Sequence, residues 1–198
     1  MIIKKLRGAL DLALFIKGGE KAFRGTTFKG MMWSFIIPLL FLPYGIWGMS
    51  MTHNTELQDL SELEGLKNFT FAQFVMISFV KAIAVTIIML VILYYFTKLM
   101  ERTEFFYDLI AAGNWMGIIS FFIYLPMTFM VLAGDPEWMS VYMLATITIL
   151  YSLAISAFST WRLLNIPWEM GTACAILALG IGESANKIVH LIGLNYFS

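Results

Sequence analysis

The chain has 198 residues, 60% of them hydrophobic and only 13% charged, with 13 basic and 13 acidic side chains. Soluble domains are roughly 45–50% apolar, and the long apolar runs here leave no polar face for water, so the solvent they fit is lipid. A net charge of zero gives no field to gather nucleic acid, the single cysteine, Cys174, excludes an intrachain disulfide, and two histidines beside one cysteine make a metal cage a poor fit.

In chain order, Met1 to Lys17 reads as an amphipathic helix. Ile2, Ile3, Leu6, Leu10, Ala13 and Leu14 recur at helical spacing, and Lys4, Lys5 and Asp11 fall largely opposite. Gly18 and Gly19 are expected to stop it. Arg7 and Asp11 interrupt the apolar residues, which argues against a cleavable signal peptide. A basic amphipathic helix ahead of a first span suits the headgroup plane, with Lys4, Lys5 and Arg7 as candidate membrane-surface residues; the plainer reading is a solvated helix packed on a partner.

Five apolar stretches follow, over about 31–51, 72–100, 107–133, 138–163 and 168–194. Each meets the roughly 20 mostly apolar residues that a helix needs to cross hydrocarbon. The expected fold is therefore an all-α, polytopic bundle of about five spans. Pro38 and Pro43 each remove a backbone donor from the first stretch, which predicts a kinked span or a re-entrant one.

Loop charge predicts the orientation. Lys4, Lys5, Arg7, Lys17, Lys21, Arg24 and Lys29 precede the first span, whereas the next segment carries Glu56, Asp59, Glu62 and Glu64 against Lys67. Lys98 and Arg102 occupy the following loop, Asp135 and Glu137 the one after, and Arg162 the last. Bases thus alternate by side, which places the N-terminus in the cytoplasm and the C-terminus outside. Trp33, Trp47, Tyr94, Tyr95, Trp138, Trp161, Trp168 and Tyr196 near the span ends fit an aromatic belt.

Ionisable residues inside hydrocarbon are costly and so come first as functional candidates. Lys81 lies in the second stretch, and Glu183, Lys187 and His190 share one face of the fifth. At about 1.5 Å per residue, Lys81 and Glu183 sit roughly 13 and 16 Å from the same side, so opposite charges could meet. The functional reading of this candidate polar cluster is a proton or ion relay; the structural one is an ion pair with Lys187 snorkelling outward.

Small residues mark candidate packing faces: Gly113, Asn114 and Gly117 in the third stretch, and Gly171, Ala175, Ala178 and Gly182 in the fifth. They serve either a dimer face or contacts within one bundle. Thr148, Ser152, Ser156 and Ser159 add a hydroxyl stripe. Asn114 is expected to hydrogen-bond between helices, and Asp108 to stay hydrated near the cytoplasmic surface. Asn68-Phe69-Thr70 fits a glycosylation acceptor. Phosphate-loop, dinucleotide, His-Glu-x-x-His and serine-elbow signatures are missing from the sequence, so no catalytic activity and no cofactor are expected.

The basic amphipathic lead, five spans, short loops and Ala112-Gly113-Asn114-Trp115 near the start of the third span together resemble bacterial relatives of the Yip (Ypt-interacting protein) membrane family. That resemblance implies a five-helix bundle without catalysis. The short N-terminal segment departs from the long cytoplasmic tail of eukaryotic members, whose link is to small GTPases. The sequence therefore predicts a non-enzymatic protein of a bacterial inner membrane that organises lipid or a partner complex, as a homo-oligomer or accessory subunit. The alternative is a small transporter component whose polar path passes Lys81, Glu183 and Lys187.

Overall fold

The computed structural model describes residues 2–47, 70–132 and 138–197, and every described regular element is helical. The helices are α1 (Ile2–Ala13), α2 (Phe28–Ser34), α3 (Ile36–Leu40), α4 (Phe71–Leu99), α5 (Phe106–Leu132), α6 (Trp138–Leu164) and α7 (Trp168–Phe197), with a helical stretch over 42–47 after α3. Four segments are long and apolar enough to cross a bilayer: Phe28–Trp47, Phe71–Leu99, Thr103–Met130 and Met139–Leu164. These are the makings of a multi-pass membrane protein. α7 forms over 30 residues. The acidic segment before α4, the Asn68 acceptor and the His190 side chain lie outside the described residues.

The first apolar stretch is broken twice, at Phe35 and Phe41. Pro38 offers no N–H to the Ser34 carbonyl four residues back, and α2 ends at Ser34. Proline alone does not decide this, since Pro126 lies inside α5 without ending it. At the first break, side chains add to the effect: Ser34 Oγ donates to the Met31 carbonyl at 2.6 Å and accepts from Asn114 Nδ2 at 2.8 Å.

Three helices end on a non-glycine residue in the left-handed region: Phe15, Glu101 and Asn165, at φ between 52° and 57°. After α1, the Phe15 N–H reaches the Leu12 carbonyl and the Ile16 N–H that of Asp11, at 3.1 and 2.7 Å. Glu101 and Arg102 repeat this on Lys98 and Thr97 after α4. This paired closure satisfies carbonyls that a helix end leaves open. α1 therefore stops at Ala13, ahead of the glycines at 18 and 19 that composition pointed to, because the closure at Phe15 and Ile16 comes first.

The chain divides into two compact units, residues 1–40 with 94–177, and residues 41–93 with 178–198. In the first, α5 and α6 pack on each other and α1 and α2 pack on α5. Its core holds Leu12, Phe23, Ala111, Ala112, Leu163 and Leu164, all fully buried. The second contains Lys81, Glu183 and Lys187.

Candidate functional site

The best-built polar constellation is a cap formed by residues 2–27 over the start of α5 and the end of α6. Its foundation is backbone proximity. A Cβ on Gly19 would lie 2.7 Å from the Gly8 carbonyl oxygen, so only glycine lets the 3₁₀ turn Gly19–Ala22 lie against α1. Gly18, at φ 107°, turns the chain into that contact.

The turn delivers Glu20 into the fold, where the residue is only 5% exposed. Its Oε1 accepts from Arg162 Nη2 at 2.6 Å and its Oε2 from the Gly18 N–H at 2.9 Å. Burial alone pushes the Glu20 carboxyl up, but the Arg162 hydrogen bond and the backbone N–H groups together hold it below the usual carboxylate range. Arg24 donates to the Arg162 carbonyl at 3.0 Å and lays its guanidinium 4.0 Å over the Phe105 ring. Tyr151 Oη donates to the Ala13 carbonyl at 2.7 Å, closing the far edge of the cap.

Asp108 belongs to the same constellation. It is 2% exposed and its Oδ1 accepts from the Thr26 N–H at 2.7 Å, which corrects the expectation that it would remain hydrated. The loop arriving from Gly25 seals it and supplies the donor that water would have given. Lys5 lies 5.7 Å over the buried Phe23 ring, and burial lowers its pKa against the raising effect of the Asp108 charge.

On α1, at about 100° per residue, three sectors separate. Gly8, Ala9, Leu12 and Ala13 are buried in the protein; Ile3, Leu6 and Leu10 are exposed next to them; Lys4 and Arg7 form a third, exposed sector. The helix thus has a buried side, an exposed apolar side and an exposed basic side.

The other sequence candidates are distributed as follows. Asn114 joins α5 to α2 through Ser34. Gly171 is a close-approach glycine of α7: a Cβ there would meet the Ala157 carbonyl oxygen at 2.8 Å and Trp161 Cβ at 2.9 Å. Ala175 is buried and Ala178 half-buried, and a Cβ on Gly182 would come no nearer than 3.9 Å, to Met89 Sδ. Gly113 and Gly117 are exposed, and no described atom lies within 4 Å of a Cβ placed on either. From the hydroxyl stripe, Thr148 and Ser159 are buried, Ser159 Oγ lying 3.2 Å from Met116 Sδ in α5. Lys81 is half-buried, Glu183 and Lys187 are exposed, and no ion pair joins these three among the described residues.

Glu20 escaped sequence reasoning. The signal available was its isolation as the sole acid between Leu14 and Gly30 among several bases, which is where an internal partner for a distant arginine would stand. Among the described residues, no group of histidine, cysteine and carboxylate side chains is placed to hold a metal. The arrangement fastens the N-terminal segment to α5 and α6. Compared with known proteins, the chain matches no family model, no curated protein and no solved structure.

Proposed function

We propose that this chain is a non-enzymatic membrane scaffold that spans the bilayer five times and organises lipid or a partner complex through its outward faces. The observation that carries the reading is the cap. Glu20 and Asp108 are both buried, both satisfied from within the fold, and both spent on fastening the segment that follows α1, Glu20 to α6 and Asp108 to Thr26. Much of what remains outward is apolar, including Ile3, Leu6 and Leu10 on α1 and Val80, Ile87 and Val91 on α4, all exposed. Exposed apolar faces of this kind, present in each unit, need lipid or another protein against them.

The cap also supports the cytoplasmic N-terminus. Arg24, Arg162 and Lys5 gather at one end of α5 and α6, where a positive-inside protein keeps its bases. The open Gly113–Gly117 face fits contact with a second copy or a partner helix. α7 supplies the fifth span in this reading, and the layout remains that of the Yip-like family in a bacterial cell membrane. A transporter component is the second reading, favoured by Lys81, which is half-buried with no partner among the described residues.

Native mass measurement after mild detergent extraction tests the proposal. A scaffold emerges with bound phospholipid or as assemblies larger than the 22.5 kDa chain. A folded, lipid-free monomer overturns it.

A further inference from the structure

Between the end of α1 at Ala13 and the turn that starts at Gly19, the chain reverses, and it does so on apolar residues. Leu12-Ala13-Leu14-Phe15-Ile16 carries no polar side chain, and Leu14, Phe15 and Ile16 are all exposed. Turns in water favour glycine, proline, asparagine, aspartate and serine; this one presents three large hydrocarbon side chains. Its backbone finds partners in the protein. The N–H groups of Leu14, Phe15 and Ile16 donate to the carbonyls of Leu10, Leu12 and Asp11 at 2.9, 3.1 and 2.7 Å, and the Ala13 carbonyl accepts from the Tyr151 hydroxyl at 2.7 Å. Water would satisfy such groups unaided, whereas hydrocarbon requires the protein to do so.

Contacts along α6 fix where the reversal stands. Glu20 meets Arg162, while the Phe15 ring lies between those of Tyr151 and Phe158, with centroids 5.9 and 5.5 Å away. Tyr151 and Phe158 precede Arg162 by about 16 and 6 Å at the helical rise, so Phe15 stands roughly 11 Å further along α6 than Glu20 does. The other end of α1 stays at the Arg162 level: Lys5 lies over Phe23, whose neighbours Arg24 and Thr26 bond to Arg162 and Asp108. α1 therefore runs alongside α5 and α6 instead of across their ends. Charge is graded the same way. Lys4, Lys5 and Arg7 occupy its first half, and the next base, Lys17, comes only after the reversal. Asp11, the acid nearest the tip, is turned toward the returning chain, its Cβ 2.9 Å from where a Cβ on Gly19 would lie.

We infer that α1 and the reversal form a re-entrant hairpin whose tip, Leu14-Phe15-Ile16, is bedded in the acyl chains of the leaflet on the Arg162 side. This rests on the membrane-spanning reading of α5 and α6, whose segments Thr103–Met130 and Met139–Leu164 are long and apolar enough to cross. Depth selects the occupant. Trp161 and Arg162 mark the headgroup boundary on α6, and roughly 11 Å inward from it, within a leaflet core about 15 Å deep, the surrounding medium is acyl chain. The exposed bases Lys4, Arg7, Lys17 and Lys21 stay within reach of the headgroup phosphates on long stems. A helix expected to lie flat among headgroups thus becomes a wedge in one leaflet.

The test uses the full chain carrying Cys174→Ala in phosphatidylethanolamine–phosphatidylglycerol vesicles, with a fluorophore on Ile3→Cys, Leu10→Cys or Leu14→Cys, three exposed positions on one side of the hairpin. Quenching by a nitroxide midway along a lipid tail is divided by quenching by one on the headgroup. That ratio should rise several-fold from Ile3 to Leu14, with Leu10 between them; Ile16→Cys replaces Leu14→Cys should the latter fail to fold. An equal ratio at all three positions means a helix parallel to the membrane plane and overturns the inference. So does a tip quenched by aqueous iodide, which places it in water, or one that neither lipid nor iodide quenches, which places protein over it. Ile87→Cys, at an exposed position near the middle of α4, is the control. Absence of mid-tail quenching there defeats the membrane-spanning reading itself, and the hairpin with it.

Discussion

Arg162→Met isolates the contribution of the cap. The substitution leaves the Glu20 carboxylate, whose side chain is 7% exposed, without its 2.6 Å partner. Breaking a buried pair from one side costs about 3–5 kcal/mol. Two features reduce that figure here: the Arg162 side chain is 27% exposed, so part of its attraction is already screened, and the Gly18 N–H still holds Oε2. The expected loss is about 2–3 kcal/mol, which for a chain of this size lowers Tm by about 2–4 °C per kcal/mol. Thermal unfolding in detergent, followed by circular dichroism, measures it. Because burying two apolar side chains of similar volume can replace a buried pair at little cost, Glu20→Met combined with Arg162→Met should recover most of the loss. The pH dependence carries its own sign. Glu20 has a folded pKa below its ordinary 4.5, so its stabilisation is present above that value and disappears as pH falls through the lower folded pKa. Arg162→Met should therefore abolish a component of acid sensitivity below about pH 4.5. An unchanged Tm for the single variant, or a double variant as unstable as the sum of its singles, refutes the reasoning.

Glycine substitutions should divide sharply by position. Gly171→Ala pushes a methyl to 2.8 Å from the Ala157 carbonyl oxygen and should cost about 1–3 kcal/mol, whereas Gly113→Ala meets nothing and should gain up to about 1 kcal/mol from helix propensity; equal effects on Tm would contradict the packing described. Leu6→Cys carrying a polarity-sensitive dye should emit at the blue wavelengths of an apolar phase in liposomes, and Lys4→Cys should not. Identical emission from both sites argues against separate lipid and water sectors on α1. For topology, cysteines placed between Thr52 and Thr70 should label from outside intact cells, while those between Lys98 and Glu104 should stay protected. The opposite pattern rejects the cytoplasmic N-terminus.

Much of the architecture follows from local chemistry. Runs of apolar residues too long for a soluble helix set the helices over 71–99, 106–132 and 138–164 to within a turn of where composition alone puts them. The two prolines of the first stretch lie close to its two breaks and each removes an N–H, but Pro126 inside α5 shows that proline needs help to end a helix, and at the first break Ser34 and Asn114 supply it. The end of α1 was less legible: composition favoured the glycines at 18 and 19, but the decisive event is Phe15 adopting a left-handed conformation that its sequence does not favour. Its ring contacts with Tyr151 and Phe158 come from far along the chain.

The same distinction governs the site. Composition, hydropathy and loop charge determined the fold class, the apolar exterior and the N-terminal run of bases, because each sums over many residues and tolerates local error. Only the tertiary structure decided which charges are spent internally. Glu20 and Arg162 are 142 residues apart, and Asp108 and Thr26 are 82 apart. Nothing in the local spacing distinguishes these carboxylates from solvated ones; the pairing exists because a glycine-on-glycine contact at Gly8 and Gly19 brings the turn over the end of α6. Likewise, the three glycines Gly113, Gly117 and Gly171 read alike as small residues on apolar helices, yet one is pressed against a neighbouring backbone and two face outward. That difference is a matter of helix rotation and crossing, which depend on every side chain in the interface at once.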